Sequence, residues 1–270
     1  MLTPPITVFL LSLVSSTVLG APTVFVETTS STVQPCIAGG GDIERAMHAL
    51  FEADAVCIDI DSTTIQSESI DELADYMGIG QEVAKITSSA MNDFYDLREA
   101  LRVRLNIMRP SLADIDRFLV ARPLKLTVGI DRLVSLLTSR GVDVYLVSGG
   151  FHELVDPVAR KLGLPDDRVY ANRFLFDADG NYNTFDASAP TSKTGGKAIV
   201  VIEQLKKRKN YKTVVMIGDG ASDAQARPPA DAFIGYGGVV SRPSVRRVAD
   251  WFVCSHQTLI DALKTKKRRL

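Results

Sequence analysis

Four short segments of the 270-residue chain carry side chains that phosphoryl transfer requires. Asp59-Ile60-Asp61-Ser62-Thr63-Thr64 closes an apolar run over 55–60 that only Asp59 interrupts. Ser148-Gly149-Gly150 follows the run 142–147, Gly195-Gly196-Lys197 opens a helical pattern, and Gly218-Asp219-Gly220-Ala221-Ser222-Asp223 follows the run 213–217. A dianionic phosphate must be neutralised before a carboxylate can attack it. Mg2+ does this and prefers hard oxygen ligands in a near-octahedral array. The expected ligands are the carboxylates of Asp59 and Asp219 and the backbone carbonyl of Asp61. Asp223 is expected to support the metal or a water bound near the phosphate. Lys197 is expected to neutralise Asp59 and one phosphate oxygen. Ser148, Ser222 and the N–H groups around Gly149 and Gly150 are expected to hold the other oxygens, with Gly149 allowing close approach. Asp59 is then the nucleophile and carries an aspartyl-phosphate. Asp61 protonates the departing alkoxide and later activates water.

Each motif alone has a plainer reading. Asp-x-Asp is often a turn or a helix cap, Ser-Gly-Gly a loop, Gly-Asp-Gly a turn, and a lysine at a helix start a solvated charge that the helix dipole disfavours. Four of them in order, each at the same end of an element, are hard to obtain by chance. Charged Asp59 and Asp61 at the edge of an apolar strand also carry a desolvation cost unless a cation joins them.

The elements that must position these residues alternate. The run at 55–60 suits a strand buried on both faces. Residues 69–120 carry helical periodicity, with Pro110-Ser111 as a helix start. Helices are then expected at 130–139, 151–162, 197–208 and 258–263, and strands at 142–147, 168–171, 213–217, 232–234 and 251–253. A hairpin is expected from 174–176 and 182–185 around Asp179-Gly180. This pattern predicts an α/β fold, a doubly wound, mostly parallel, Rossmann-like sheet with a small inserted helical cap. Ligands of such open sheets bind beyond the carboxyl ends of the strands, so the four segments converge on one edge. The expected division is an N-terminal extension at 1–42, a catalytic core at 43–68 and 126–265, and a cap at 69–125.

The 31 basic and 32 acidic residues nearly cancel, which argues against a nucleic-acid partner. The basic tail at 264–269 reads as a frayed, solvated end. Three cysteines give no disulfide framework, and Cys57 and Cys254 are expected as buried, inert thiols. The apolar stretch 6–19, followed by Gly20-Ala21, is similar to a secretory signal but lacks a basic start. It leaves two expectations open: a signal or membrane anchor, or a dispensable extension.

At these motifs the sequence resembles the haloacid-dehalogenase-like phosphatases and, within them, the eukaryotic phosphoserine phosphatases. The resemblance rests on 59–63, on Glu-Ser-Ile-Asp-Glu-Leu-Ala at 68–74, on 148–151, 195–197 and 218–223, and on Pro-Pro-Ala-Asp-Ala-Phe-Ile-Gly at 228–235. It runs from about 46 to 262. It implies Mg2+-dependent hydrolysis of O-phosphoserine as the last step of serine biosynthesis, a closing helical cap, a homodimer and a cytoplasmic location. It also implies that Glu68 meets the substrate ammonium, that Arg104 meets its carboxylate, and that Met91 and the backbone at Asn92 line the pocket. A closed site for a zwitterion needs one charge of each sign, and arginine grips a carboxylate bidentately. The family usually follows its cap methionine with Gly-Gly, where this chain has Asn92-Asp93. Leu97 stands where the family usually has phenylalanine. Both departures fall at the amino-acid end of the substrate. Two rival readings remain: a phosphatase of the same mechanism for another small phosphomonoester, and a non-enzymatic phospho-acceptor domain.

Overall fold

The run at 55–60 makes a shorter strand than its pattern suggests. Strand β1 (Ala55–Ile58) is buried along its whole length and stops at Asp59. The Asp59 N–H still bonds the Ile217 carbonyl at 2.9 Å, and its Oδ1 accepts from the Ile60 N–H at 2.7 Å. These two bonds end the ladder and lead the chain into a wide, non-helical turn over Ile60–Thr64, closed by the Ile65 N–H on the Ile60 carbonyl. The computed structural model describes residues 40–90 and 97–265, without the side chains of 86–90. All of them lie in one unit, Pro35–Leu270.

Helix α1 (Ile43–Phe51) precedes β1, with Asp42 capping it through the Arg45 N–H. Four helices follow the turn: α2 (Ser69–Tyr76), α3 (Gly80–Ala90), α4 (Leu97–Met108) and α5 (Leu112–Ala121). Ser111 and Asp114 form a reciprocal capping box on α5, at the helix start expected from Pro110-Ser111. An isolated antiparallel bridge, Ile65 with Leu126, joins the chain on either side of these four helices.

Alternation then begins with α6 (Ile130–Ser139), β2 (Asp143–Phe151), α7 (His152–Lys161) and β3 (Val169–Asn172). The hairpin β4 (Phe174–Phe176) and β5 (Tyr182–Phe185) forms at the residues expected for it. Next come α8 (Gly196–Ile199), which continues as a wider coil over Val200–Arg208, and β6 (Val214–Gly218). The chain ends with α9 (Ala221–Ala224), β7 (Ala232–Tyr236), α10 (Pro243–Val248), β8 (Trp251–Val253) and α11 (His256–Thr265). The main sheet has the order β3-β2-β1-β6-β7-β8, and all its strands are parallel. The chain winds outward in both directions from β1. The β1/β6 boundary is therefore the topological switch point, where a ligand crevice opens.

One boundary differs in a way that matters. Strand β2 was expected to end at 147, with Ser148-Gly149-Gly150 as a loop, but the strand runs on to Phe151. Pairing with β3 breaks after Val147 and resumes at Phe151 with Asn172. In the gap the Asn172 Nδ2 donates to the Gly149 carbonyl at 2.7 Å, a side chain replacing a missing ladder bond.

Alternate residues of β1 serve opposite faces, as strand pleating requires. Val56 and Ile58 join a core with Leu50, Leu133, Leu137 and Leu259. Ala55 and Cys57 join a second core with Val200, Leu205 and Met216. Cys57 is a free, buried thiol, and burial pushes its pKa up to about 12, as expected of an inert cysteine. Cys254 corrects the other half of that expectation, because it is disulfide-bonded. Cys36, the third cysteine, lies outside the described residues. Among the described residues no helix is long and apolar enough to cross a membrane.

Candidate active site

The carboxyl ends of β1, β2 and β6 carry the site, together with the start of α8 and the first turn of α2. One oxygen from each of Asp59, Asp219 and Asp223 lies within 4.8 Å of the others, and all three residues are buried. The Lys197 Nζ stands 2.6 Å from the Asp59 Oδ1 and 2.6 Å from the Asp223 Oδ1. Lys197 is 5% exposed and Asp223 0%, so this three-residue network has almost no solvent to screen it. Burial alone would lower the Lys197 pKa, but Asp223 and Asp59 outweigh it and hold the ammonium above the usual lysine range. Burial first, then the charge of Asp59, raises Asp223 against the pull of Lys197.

Close backbone approach builds this cluster. A Cβ on Gly218 would sit 2.2 Å from the Asp223 carboxylate, so only glycine lets Asp223 fold back beneath β6. The Asp223 carboxylate also accepts from the Gly220 N–H at 2.9 Å. Asp219 accepts from the Thr63 hydroxyl at 3.2 Å and from the Arg242 Nε at 3.0 Å. Burial, then Asp59, pushes Asp219 up to about 6.

Asp61 faces away from this cluster. Its Oδ1 accepts from the Ser69 N–H at 2.6 Å, and its Oδ2 accepts from the Ser148 hydroxyl at 3.3 Å. Burial, then the Asp59 charge, raises its pKa to about 6. A carboxyl near that value can give a proton and take one back near neutral pH. Ser148 is fully buried and also accepts from the Gly150 N–H at 2.8 Å, so its hydroxyl serves Asp61 directly. The crowded glycine here is Gly150, where a Cβ would lie 3.0–3.3 Å from Ser148, Asp61 and Ser69. At Gly149 a Cβ would meet nothing within 4 Å, so the room expected there faces the cavity and not the protein.

A cavity of about 170 Å³ lies over these groups. Asp59, Asp61, Gly149, Gly150, Lys197 and Ser222 line it from the sheet. Glu68 and Ile70 from the start of α2, and Leu97, Leu101 and Arg104 from α4, line the other side. Positions 97, 101 and 104 fall on one helix face. Glu68 accepts from the Ser62 hydroxyl at 2.8 Å and lies 3.6 Å from the Arg242 guanidinium. Ser62 holds a left-handed backbone, φ +54°, to aim that hydroxyl, an uncommon conformation for a non-glycine residue. Burial, then Asp61, raises Glu68 to about 7. A larger hollow of about 470 Å³ beside Gln66 and Arg122 carries one carboxylate, Glu72, where this cavity carries Asp59, Asp61 and Glu68.

The donor set fits a hard divalent cation. Three buried carboxylates converge, every donor is oxygen, and among the described residues the ion pairs of Asp59, Glu68, Asp219 and Asp223 are with Lys197 and Arg242. Of the residues expected at the site, Met91 and Asn92 lie outside the described residues, as does Asp93. Asp59, Asp61, Glu68, Arg104, Gly149, Gly150, Lys197 and Ser222 line one cavity, while Asp219 and Asp223 cluster with Asp59 and Ser148 bonds Asp61. The sequence reading missed Arg242, Thr63, Ser69 and Asp71, the last ion-paired with Arg104 at the cavity wall. Arg242 lies beyond the carboxyl end of β7, an edge that the strand-by-strand reading did not follow. Thr63, Ser69 and Asp71 sit inside quoted motifs but had no role.

A parallel sheet with an aspartate–lysine centre at its switch point is the build of a carboxylate-nucleophile hydrolase. Residues 53–231 match the family described as haloacid dehalogenase-like hydrolase. The phosphoserine phosphatase of Drosophila melanogaster is 44% identical over 230 residues, 85% of each chain. A substrate-bound phosphoserine phosphatase structure superposes with a TM-score of 0.67 at 27% identity, covering 80% of this chain and 99% of that one. The structure of DsGPDH of Dunaliella salina gives 0.72 at 35% identity, covering 82% of this chain but 38% of that longer one. The chain belongs to the phosphoserine phosphatase family of haloacid dehalogenase-like hydrolases.

Proposed function

We propose that this enzyme hydrolyses O-phosphoserine to serine and phosphate through an aspartyl-phosphate on Asp59. The observation that carries the reading is the pairing of two carboxylates with different surroundings at the end of one strand. Asp59 lies 2.6 Å from the buried Lys197 ammonium, which offsets the repulsion between its carboxylate and an incoming phosphate. Asp61, two residues on, is turned toward Ser69 and Ser148 with its pKa raised to about 6, which suits proton transfer. The Asp59 carboxylate attacks phosphorus, and Asp61 gives its proton to the seryl oxygen as that bond breaks. Asp61 then takes a proton from the water that opens the acyl-phosphate, and the cycle closes. Lys197 holds one phosphate oxygen throughout, with Ser222 and the N–H group of Gly149 around the others, the Gly150 N–H being held by Ser148. The carboxylates of Asp59 and Asp219 and the carbonyl of Asp61, with Asp223 in support, would hold Mg2+, which would supply charge neutralisation on the phosphate. Residues 69–125 act as a cap over residues 43–68 and 126–265. Glu68 and Arg104, from that side of the cavity, take the ammonium and the carboxylate of the substrate.

A cavity lined by charges of both signs favours a small zwitterionic substrate over a phospho-acceptor signalling role, which does not need it. The test is kcat/KM for phosphoserine against a panel of small phosphomonoesters with Mg2+. A preference of about a hundredfold or more is expected, the range that hydrogen-bonded recognition of a polar group can reach. A flat profile overturns the substrate and leaves the phosphatase chemistry standing.

For the compartment, the Cys254 disulfide favours routing through an oxidising environment, where disulfides persist. The leader-like stretch 6–19 points the same way. Non-reducing peptide mapping and N-terminal sequencing of protein from its native source should find Cys254 bonded and the leader removed. A free Cys254 thiol on a chain that begins at Met1 returns the enzyme to the cytoplasm. Sedimentation of the same material distinguishes a monomer from the homodimer that the family resemblance implies.

A further inference from the structure

We propose that Asp71 is a positioning residue for substrate recognition, holding the Arg104 guanidinium at the cavity wall; this rests on the reading of Arg104 as the partner of the substrate carboxylate. Arg104 lines the cavity from α4, and its Nη2 is ion-paired with the Asp71 Oδ1 from the first turn of α2. The Arg104 side chain is 15% exposed and the Asp71 side chain 51%. Arg104 is therefore gripped from the solvent side while it faces inward. Its Nε is buried and has no hydrogen-bond partner among the described residues. A buried N–H donor without an acceptor is costly in a finished site. It is expected where the acceptor arrives with the ligand, and a carboxylate is the acceptor that fits a guanidinium edge.

The pair has little to do for the fold. An ion pair with one member half in solvent contributes little stability. Its effect is on order: arginine has a long side chain with much rotamer freedom, and a fixed guanidinium loses less when the substrate binds. Asp71 also lies in the first turn of α2, where the helix dipole favours its charge. The same turn begins at Glu68, the reader of the ammonium. One helix start thus sets both ends of the zwitterion, Glu68 directly and Asp71 through Arg104. This gives a role to a second acidic residue of the 68–74 motif, Asp71, beside Glu68.

The measurement is the ratio of kcat/KM for phosphoserine to that for O-phosphoethanolamine, which keeps the phosphate and the ammonium and lacks the carboxylate. Asp71→Asn and Asp71→Ala should lower this ratio about fivefold, the order expected from losing one charge-assisted contact, with the change in KM and not in kcat. Asp71→Glu should recover part of it. In an Arg104→Ala background the Asp71 substitutions should have no further effect on the ratio. Equal losses on both substrates would mean that Asp71 only ties α2 to α4. A rise in the ratio would mean that Asp71 competes with the substrate for Arg104. Either result overturns the inference. If Arg104→Ala itself leaves the ratio unchanged, the fault lies in the carboxylate reading of Arg104. If Arg104→Ala collapses the ratio and Asp71→Asn does not, only the role of Asp71 is lost.

Discussion

The two walls of the cavity are built differently. On the sheet side, Lys197 is matched by Asp59 and Asp223 at 2.6 Å each, all three buried, with Gly218 cut away so that Asp223 can fit. On the helical side, Glu68 and Arg104 are only partly covered, Arg104 keeps an N–H unpartnered among the described residues, and their partners Arg242 and Asp71 reach toward solvent. The first wall leaves its groups no freedom, which suits chemistry, where a small displacement is costly. The second leaves donors free and side chains adjustable, which suits choosing among substrates. Loss of a sheet-side group should therefore remove turnover for every substrate. Loss of a helical-side group should change which substrate is preferred.

The largest effect tests the first half of that contrast. Asp59→Asn removes the nucleophile and keeps the shape of the side chain. It should lower kcat by about 10⁴-fold or more on phosphoserine and on a plain aryl phosphate alike, as loss of a covalent nucleophile does elsewhere. Circular dichroism should stay that of the parent, because the Asp59 N–H bond to Ile217 is a backbone bond. Retained turnover on either substrate would end the nucleophile assignment and, with it, the distinction between the two walls.

The same contrast explains what could be read from the chain. The sheet-side residues were legible because strand ends are legible. An unbroken apolar run marks a buried parallel strand, and the polar residue after it must be at the edge. The hairpin around Gly180 and the start of α5 at Ser111 were legible for a similar reason, since turn and cap residues act locally. The extension of β2 through Gly150 was not, because it depends on Asn172 reaching across to the Gly149 carbonyl. Arg242 and Asp71 were not either. Each acts on a residue far away in sequence: Arg242 on Asp219 and Glu68, Asp71 on Arg104. A charged residue on a helix start looks the same in sequence whether it meets solvent or an ion-pair partner. Cys254 was misread because an apolar run signals burial and carries no information about a bonding partner.

The smaller effect tests the second wall through pH. Glu68 can meet an ammonium only as a carboxylate. Burial first, then the charges of Asp61 and Asp59, raises its pKa to about 7, while the Ser62 hydroxyl and Arg242 pull it down. The neutral, non-binding form therefore grows as pH falls through 7. Between pH 8 and pH 6 the KM for phosphoserine should rise by up to about tenfold relative to that for an aryl phosphate, since one unit below a pKa leaves about one site in ten ionised. Taking the ratio removes the titration of the phosphate itself, which both substrates share, and that of Asp61, which both reactions use. Glu68→Gln should raise KM for phosphoserine at pH 8 and flatten the ratio across the range. A ratio that stays constant in the parent enzyme would mean that Glu68 does not read the ammonium. Recognition on the helical wall would then rest on Arg104 alone, with Asp71 behind it.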